Sequence, residues 1–270
     1  MWKEIVNFEL AYRKKQSATY LYFWILFLTG FLIVATDALE IMGMGEPIKE
    51  NEILTAARIF SFTSVISIFI SSAIMGKAIF RGVEHRTEIL FFTTNFSKSD
   101  YLVGRFVGSF TVLFYVSLGI PLGIMVGNIM PWRDHSIAFL FQLLSCIYHY
   151  CIFILPNIFI MACIFFMVGA LSRKMIGALM QGGIFLLLYV FVGSILGQID
   201  KNLGALLDPM GIKAASLQTT YWSIAHNKLD LISLTGYLLY NRLFWIIVGV
   251  LCLGLAYRLF SIQKVLNRND

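Results

Sequence analysis

Charged side chains are scarce in this chain. Only 13% of its 270 residues are Asp, Glu, Lys or Arg, where a soluble domain usually has about a quarter. Meanwhile 59% are apolar and the mean hydropathy is +0.79. The charges cluster between apolar runs long enough to cross a bilayer, which excludes an ordinary water-soluble fold and defines an integral membrane protein. Cysteine is also sparse. Cys146, Cys151, Cys163 and Cys252 all fall inside apolar runs, with no C-x-x-C pair and no His at ligand spacing. They read as small apolar helix residues, so neither a disulfide framework nor a metal site is expected.

Catalytic signatures are missing as well. The sequence contains no G-x-x-x-x-G-K-S/T phosphate loop, no H-E-x-x-H and no G-x-S-x-G, which leaves no motif for nucleotide binding or for zinc or serine hydrolysis. No apolar run carries Lys, Arg, Asp or Glu near its middle, as ion-coupled pumps usually require. Glu4 and Glu9 in the opening segment do not match a cleavable signal peptide, which has a short basic region and then an apolar core.

What is present is a succession of apolar runs. Residues 2–15 form an amphipathic helix with Trp2, Ile5, Val6, Phe8, Leu10 and Tyr12 on one broad face. Glu9 and Arg13 interrupt that face at a spacing that lets them pair. Such a helix lies in the membrane interface, either as a simple anchor or as a working elbow over residues 1–16. Six spans follow: Thr19 to Thr36, Ile59 to Gly76, Phe106 to Met130, Ser136 to Ser172, Met175 to Gly197 and Tyr237 to Leu259. The fourth run is longer than the ~20 residues a straight crossing needs. It is therefore one long helix kinked near Pro156 or two short spans, and the charge pattern favours the single helix. Residues 198–236 form an exterior segment with short helices re-entering the outer leaflet, and Arg242 is expected to snorkel from the outer end of the last span.

The net charge of +6 is a matter of topology, not a nucleic-acid signal. On this six-span arrangement two-thirds of the 21 Lys and Arg lie on the side of the N-terminus, and most of the 15 acids lie on the other. The positive-inside bias then makes both termini cytoplasmic.

The longest charged interruption runs from Lys77 to Arg105 and is cytoplasmic on the same count. Its segment 81–99 combines Glu84, Arg86 and Glu88 with an apolar stretch, Ile89, Leu90, Phe91 and Phe92. That combination fits a helix docking onto a partner protein, against the alternative of a solvated or membrane-surface loop. Within the spans Ser64, Ser71, His149 and Asn157 are the notable polar residues. They either line a translocation path or make helix-packing hydrogen bonds.

These features resemble the membrane subunit of ABC-2-type exporters. The similarity is carried by Thr87-Glu88-Ile89-Leu90, Thr94-Asn95-Phe96-Ser97-Lys98 and Tyr101-Leu102-Val103-Gly104-Arg105. Asn95 stands where proline is common in that family, and Arg105 where lysine is common. A second group looks like bacterial members joined to a metallo-aminopeptidase-like region: Asp208-Pro209, Gly211, Thr219, Thr220, Tyr221-Trp222, Asn227, Asn241-Arg242 and Trp245. The absence of H-E-x-x-H limits that likeness to the membrane half.

The resemblance implies an all-α integral membrane fold, one permease domain over 1–270, with six spans, an interfacial N-terminal helix, a coupling helix between spans two and three, and a re-entrant segment before span six. It further implies a bacterial inner-membrane exporter subunit that is not itself an enzyme. Its partners would be an ATP-binding-cassette ATPase, which carries the ATP and magnesium, and a second permease copy. Glu84, Arg86, Glu88, Ile89, Leu90, Phe91 and Phe92 would contact the ATPase. The competing reading is a non-transporting membrane scaffold that anchors another protein.

Overall fold

The computed structural model describes residues 1–36, 52–84, 97–132, 139–172, 175–219 and 232–260, and every secondary-structure element among them is helical. In chain order these are α1 (Trp2–Lys14), α2 (Ser17–Ala35), α3 (Glu52–Glu84), α4 (Lys98–Ser117), α5 (Gly119–Asn128) and α6 (Phe139–His149). A π-turn (Tyr150–Ile154) leads into α7 (Leu155–Ser172), followed by α8 (Met175–Ile199), α9 (Lys201–Leu207), α10 (Ile212–Thr219) and α11 (Gly236–Leu259).

Among the described residues five helical runs are long and apolar enough to cross a membrane: Ser17–Ala35, Phe62–Ile79, Lys98–Asn128, Leu143–Ser172 and Gly236–Leu259. In α8 the apolar stretch is the shorter Met180–Phe191. This is the architecture of an all-helical membrane protein, in which the backbone donors and acceptors of a crossing segment are satisfied mainly within its own helix.

Local chemistry sets the helix boundaries. The Ser97 hydroxyl accepts from the Asp100 backbone N–H (3.1 Å) and donates to the Asp100 carboxylate (2.7 Å), capping α4. The third crossing therefore starts at Lys98 and not at the expected Phe106, which takes Arg105 out of the loop and into the helix. Pro121 cannot donate to the carbonyl one turn back, so the run breaks at Leu118 and resumes as α5 with proline in its first turn. Pro156 acts differently. Ahead of it the helix widens, with the Leu155 N–H bonded to the Tyr150 carbonyl, and the chain passes through as one continuous helical run. A single long helix, not two short spans, is what the described part of 136–172 forms.

Burial separates central from peripheral helices. Within an apolar 18-residue stretch of each run, 67% of residues are buried in Phe62–Ile79 and 61% in Leu143–Ser172, against 33% in Ser17–Ala35 and 22% in Gly236–Leu259. Helix association in lipid gains little from the hydrophobic effect, so it relies on close backbone approach. Accordingly Gly119, Gly123 and Gly127 recur along α5 against α2, and a Cβ on Gly119 would stand 2.6 Å from the Phe23 carbonyl oxygen. Gly169 of α7 meets the Gly76 backbone of α3, and Gly182 of α8 meets Ser72. The Ser64, Ser67, Ser71 and Ser72 side chains of α3 are all buried.

Two sets of contacts tie helix ends together. The Trp132 indole N–H donates to the Ala35 carbonyl at 2.9 Å, joining the ends of α2 and α5. At the opposite ends Tyr101 stacks on Phe260 and the Lys98 ammonium lies 4.9 Å from the Tyr257 ring, joining the start of α4 to the end of α11.

Candidate functional site

Two buried polar centres stand out. The first fixes α1. Ile5, Glu9 and Arg13 form its buried face, whereas Trp2 and Phe8 are exposed at 40% and 52%. The expected apolar face is thus divided, and the helix is held by its charges as much as by its apolar residues. Glu9 Oε1 accepts from Arg13 Nε at 3.1 Å, as the spacing predicts, and Glu9 Oε2 accepts from Arg105 Nη1 at 2.8 Å. Ser109 donates to Glu9 at 3.3 Å and Arg13 Nη2 donates to the Ile74 carbonyl at 2.8 Å. Gly104 and Gly108 allow this approach, because a Cβ there would meet Ile5 at 2.7 Å and Glu9 at 2.8 Å.

The second centre lies where α3, α7 and α11 meet the turn between α9 and α10. Arg242 of α11 donates through Nη1 to Asn157 Oδ1 (2.6 Å) and through Nη2 to the Met210 carbonyl (2.7 Å). The Asn157 amide in turn donates to Ser64 Oγ (3.0 Å) and to Met210 O (3.3 Å). Arg242 is 3% exposed, so it does not snorkel as expected. Asn157 and the Met210 carbonyl of the α9–α10 turn supply its acceptors, which removes any need to reach water.

That turn is built to stay there. Asp208 accepts from the backbone N–H of Met210 (3.0 Å) and Lys213 (2.8 Å). Burial raises its carboxyl above the ordinary range, against the lowering effect of those N–H groups and of Arg242 and Lys213. Asn241 donates to the carbonyls of Ala205, Leu206 and Asp208, satisfying the C-terminal end of α9. Gly211 has φ +75°, and a Cβ there would coincide with the Arg242 guanidinium. The helices α9 and α10, seven and eight residues long, reach roughly 10–12 Å at 1.5 Å per residue, far short of the ~30 Å hydrocarbon core.

An aromatic column extends this centre. His149 stacks with Phe60 (5.9 Å, 13°) and with Phe153 (6.1 Å, 12°), and the Arg242 guanidinium lies 5.6 Å from the Phe153 ring. His149 Nδ1 lies 2.7 Å from the Ser145 carbonyl. A carbonyl only accepts, so Nδ1 holds the proton. Nε2 has no partner among the described residues.

The structure therefore brings Ser64 and Asn157 together and places both His149 and Arg242 against the Phe153 ring. Ser71 sits apart from them on α3, buried, with its hydroxyl unpartnered among the described residues. Glu84 ends α3, and Arg86, Glu88, Ile89, Leu90, Phe91 and Phe92 lie outside the described residues. Sequence reasoning passed over Arg242, Asn241 and Asp208 as site residues. The available signal was a polar Asn-Arg pair inside an otherwise apolar run, since such a pair must find partners within the protein.

Beside this centre lies a cavity of about 480 Å³ bounded by α7, α8, α11 and the α9–α10 turn, with Phe185, Leu188, Tyr189, Asp208, Lys213 and Trp245 in its wall. Among the described residues no group of His, Cys, Asp and Glu is arranged to hold a metal ion. No protein-family model matches the chain, and no curated protein is detectably similar to it.

Proposed function

We propose that this chain is the membrane-spanning permease subunit of an ATP-binding-cassette exporter, moving a substrate across the bacterial inner membrane with energy from a separate ATPase. The observation that carries the reading is the α9–α10 pair. Two helices too short to cross are drawn into the bundle ahead of the last span by Arg242, Asn157 and Asn241. The charge-bearing helix α1 docked on α4 by Glu9 and Arg105 adds support, as does the sequence resemblance of residues 87–105.

In this reading α8 supplies the fifth of six crossings and both termini are cytoplasmic, as the distribution of Lys and Arg favours. Residues 81–99 form the coupling segment. Glu84, Arg86 and Glu88 face the ATPase, and Ile89, Leu90, Phe91 and Phe92 seat the segment against the membrane domain. ATP-driven closure of two ATPases on two permease copies then changes the packing of the spans around the Ser64, Asn157 and His149 region.

The test is purification from native membranes under mild detergent. The exporter reading expects a stoichiometric partner bearing a phosphate loop, with its ATPase rate altered by the permease and that effect abolished in the double variant Glu84→Lys, Glu88→Lys. Recovery of a different stoichiometric partner without a phosphate loop would favour the scaffold and end the exporter assignment.

A further inference from the structure

The corner where α1 turns into α2 is closed by two hydrogen bonds. The Thr19 hydroxyl donates to the Arg13 carbonyl and the Tyr20 hydroxyl to the Lys14 carbonyl, both at 3.0 Å. Of the three successive cations here, Arg13 turns inward to Glu9, whereas Lys14 and Lys15 are exposed. Neither lysine ammonium has a hydrogen bond or an ion pair among the described residues. The exposed acid of α1, Glu4, lies roughly 15 Å back along the helix at 1.5 Å per residue. Two adjacent cations without a counter-ion therefore face outward at one end of a membrane-length helix.

Beyond them α2 shows an apolar stripe. Tyr20, Leu21, Trp24, Ile25, Leu28 and Leu32 are all exposed, and their spacing of three and four residues puts them on one face. From Tyr20 to Leu32 the stripe runs roughly 18 Å at 1.5 Å per residue, enough to cover the ~15 Å that one leaflet contributes to the hydrocarbon core. Tyr20 joins the two parts, its hydroxyl bonded to the α1 backbone and its ring within the stripe. An amphipathic ring so placed sits at the boundary between headgroups and hydrocarbon.

Charge decides what covers this face. In a two-fold pair of chains standing side by side in the bilayer, the same surface meets itself. The lysine pairs of both copies would then oppose each other at one end, where like charges resist association. A lipid with a negative headgroup matches both parts of the face at once.

We infer that the α1–α2 corner is a binding site for one anionic glycerophospholipid, its headgroup held by the Lys14 and Lys15 ammonium groups and its acyl chains laid along Leu21, Trp24 and Leu28. On the proposed topology this is the cytoplasmic leaflet, whose surface is negative. The site requires only that α2 crosses a bilayer, so it goes beyond the exporter reading and does not depend on it.

The full chain, delipidated in detergent, is titrated with phosphatidylglycerol or with phosphatidylcholine of identical acyl chains, and the first bound lipid is followed by native mass spectrometry. Each lysine beside an anionic headgroup contributes about fivefold, so phosphatidylglycerol should bind at least tenfold more tightly. The double variant Lys14→Gln, Lys15→Gln should lose that preference with unchanged thermal stability, whereas Lys201→Gln, at an exposed position on α9, should keep it. Phosphatidylglycerol with brominated acyl chains should quench tryptophan fluorescence, and Trp24→Phe should remove most of that quenching. Equal affinity for the two lipids, a preference that survives loss of both lysines, or quenching indifferent to Trp24→Phe would each overturn the assignment. So would a stable dimer that excludes the lipid and dissociates in the Trp24→Phe variant.

Discussion

Arg242 of α11 and Asn157 of α7 meet at 2.6 Å, guanidinium to amide oxygen, at a point where the two residues are only 3% and 1% exposed. A cation in that position is tolerable only because Asn157 and the Met210 carbonyl replace its water. Asn157→Leu should therefore destabilise the protein by about 3–5 kcal/mol, the usual cost of stranding a buried charge. Arg242→Met should cost less, about 1–3 kcal/mol, because the acceptors it leaves, Asn157 and the Met210 carbonyl, are neutral, and the Asp208 carboxylate that also feels its charge keeps two backbone N–H donors. The double variant should fall short of the summed losses by about 0.5–3 kcal/mol. Unfolding in mixed detergent micelles measures all three, and strict additivity would show that the contact carries no energy.

Glu9 is a buried anion between Arg13 and Arg105. Glu9→Gln keeps the shape and removes the charge, leaving buried cations short of their counter-ion. A loss on the order of 3–5 kcal/mol is expected, and it should change little between low and high salt because buried pairs are poorly screened. A loss that disappears in high salt would place the pair at an exposed surface.

Close packing of α1 on α4 depends on the lack of a side chain at Gly108, where a Cβ would stand 2.8 Å from that of Glu9. Gly108→Ile should lift α1 away. In a background with the four native cysteines replaced by alanine, a reporter Ile5→Cys should resist maleimide in otherwise unaltered protein and react when Gly108→Ile is added. Equal protection in both would mean that α1 is held by other contacts.

Gly211 and Gly236 both have positive φ, +75° and +54°, but only the first is crowded. Gly236→Ala should cost roughly 1 kcal/mol for the left-handed backbone alone. Gly211→Ala must also displace the Arg242 side chain and break its bonds to Asn157 and Met210, so it should cost several times as much. Thermal unfolding of the two variants side by side provides the comparison, and similar costs would remove Arg242 from the account.

Orientation can be tested from both faces. On the proposed topology Ser97→Cys is shielded from a membrane-impermeant maleimide added to intact cells, whereas Ser233→Cys is labelled, each in the cysteine-free background. Labelling of Ser97→Cys from outside would invert the chain and put residues 81–99 on the wrong side for an ATPase.

What the amino-acid sequence decides by itself is local. Run length and hydropathy mark the membrane class and most of the spans. Pro121 breaks the third run, a π-turn precedes Pro156 in the fourth, and the i to i+4 spacing pairs Glu9 with Arg13. Each of these follows from backbone geometry within a turn or two of one helix. Only the tertiary structure decided which buried groups meet. Arg242 looks like a snorkelling end residue until the α9–α10 turn brings the Met210 carbonyl beside it, and Arg105 reads as a loop charge until α1 lays Glu9 against it. Those partners are dozens of residues apart in the chain, and a charge becomes bearable inside a bundle only when distant segments supply its hydrogen bonds, which no local pattern encodes.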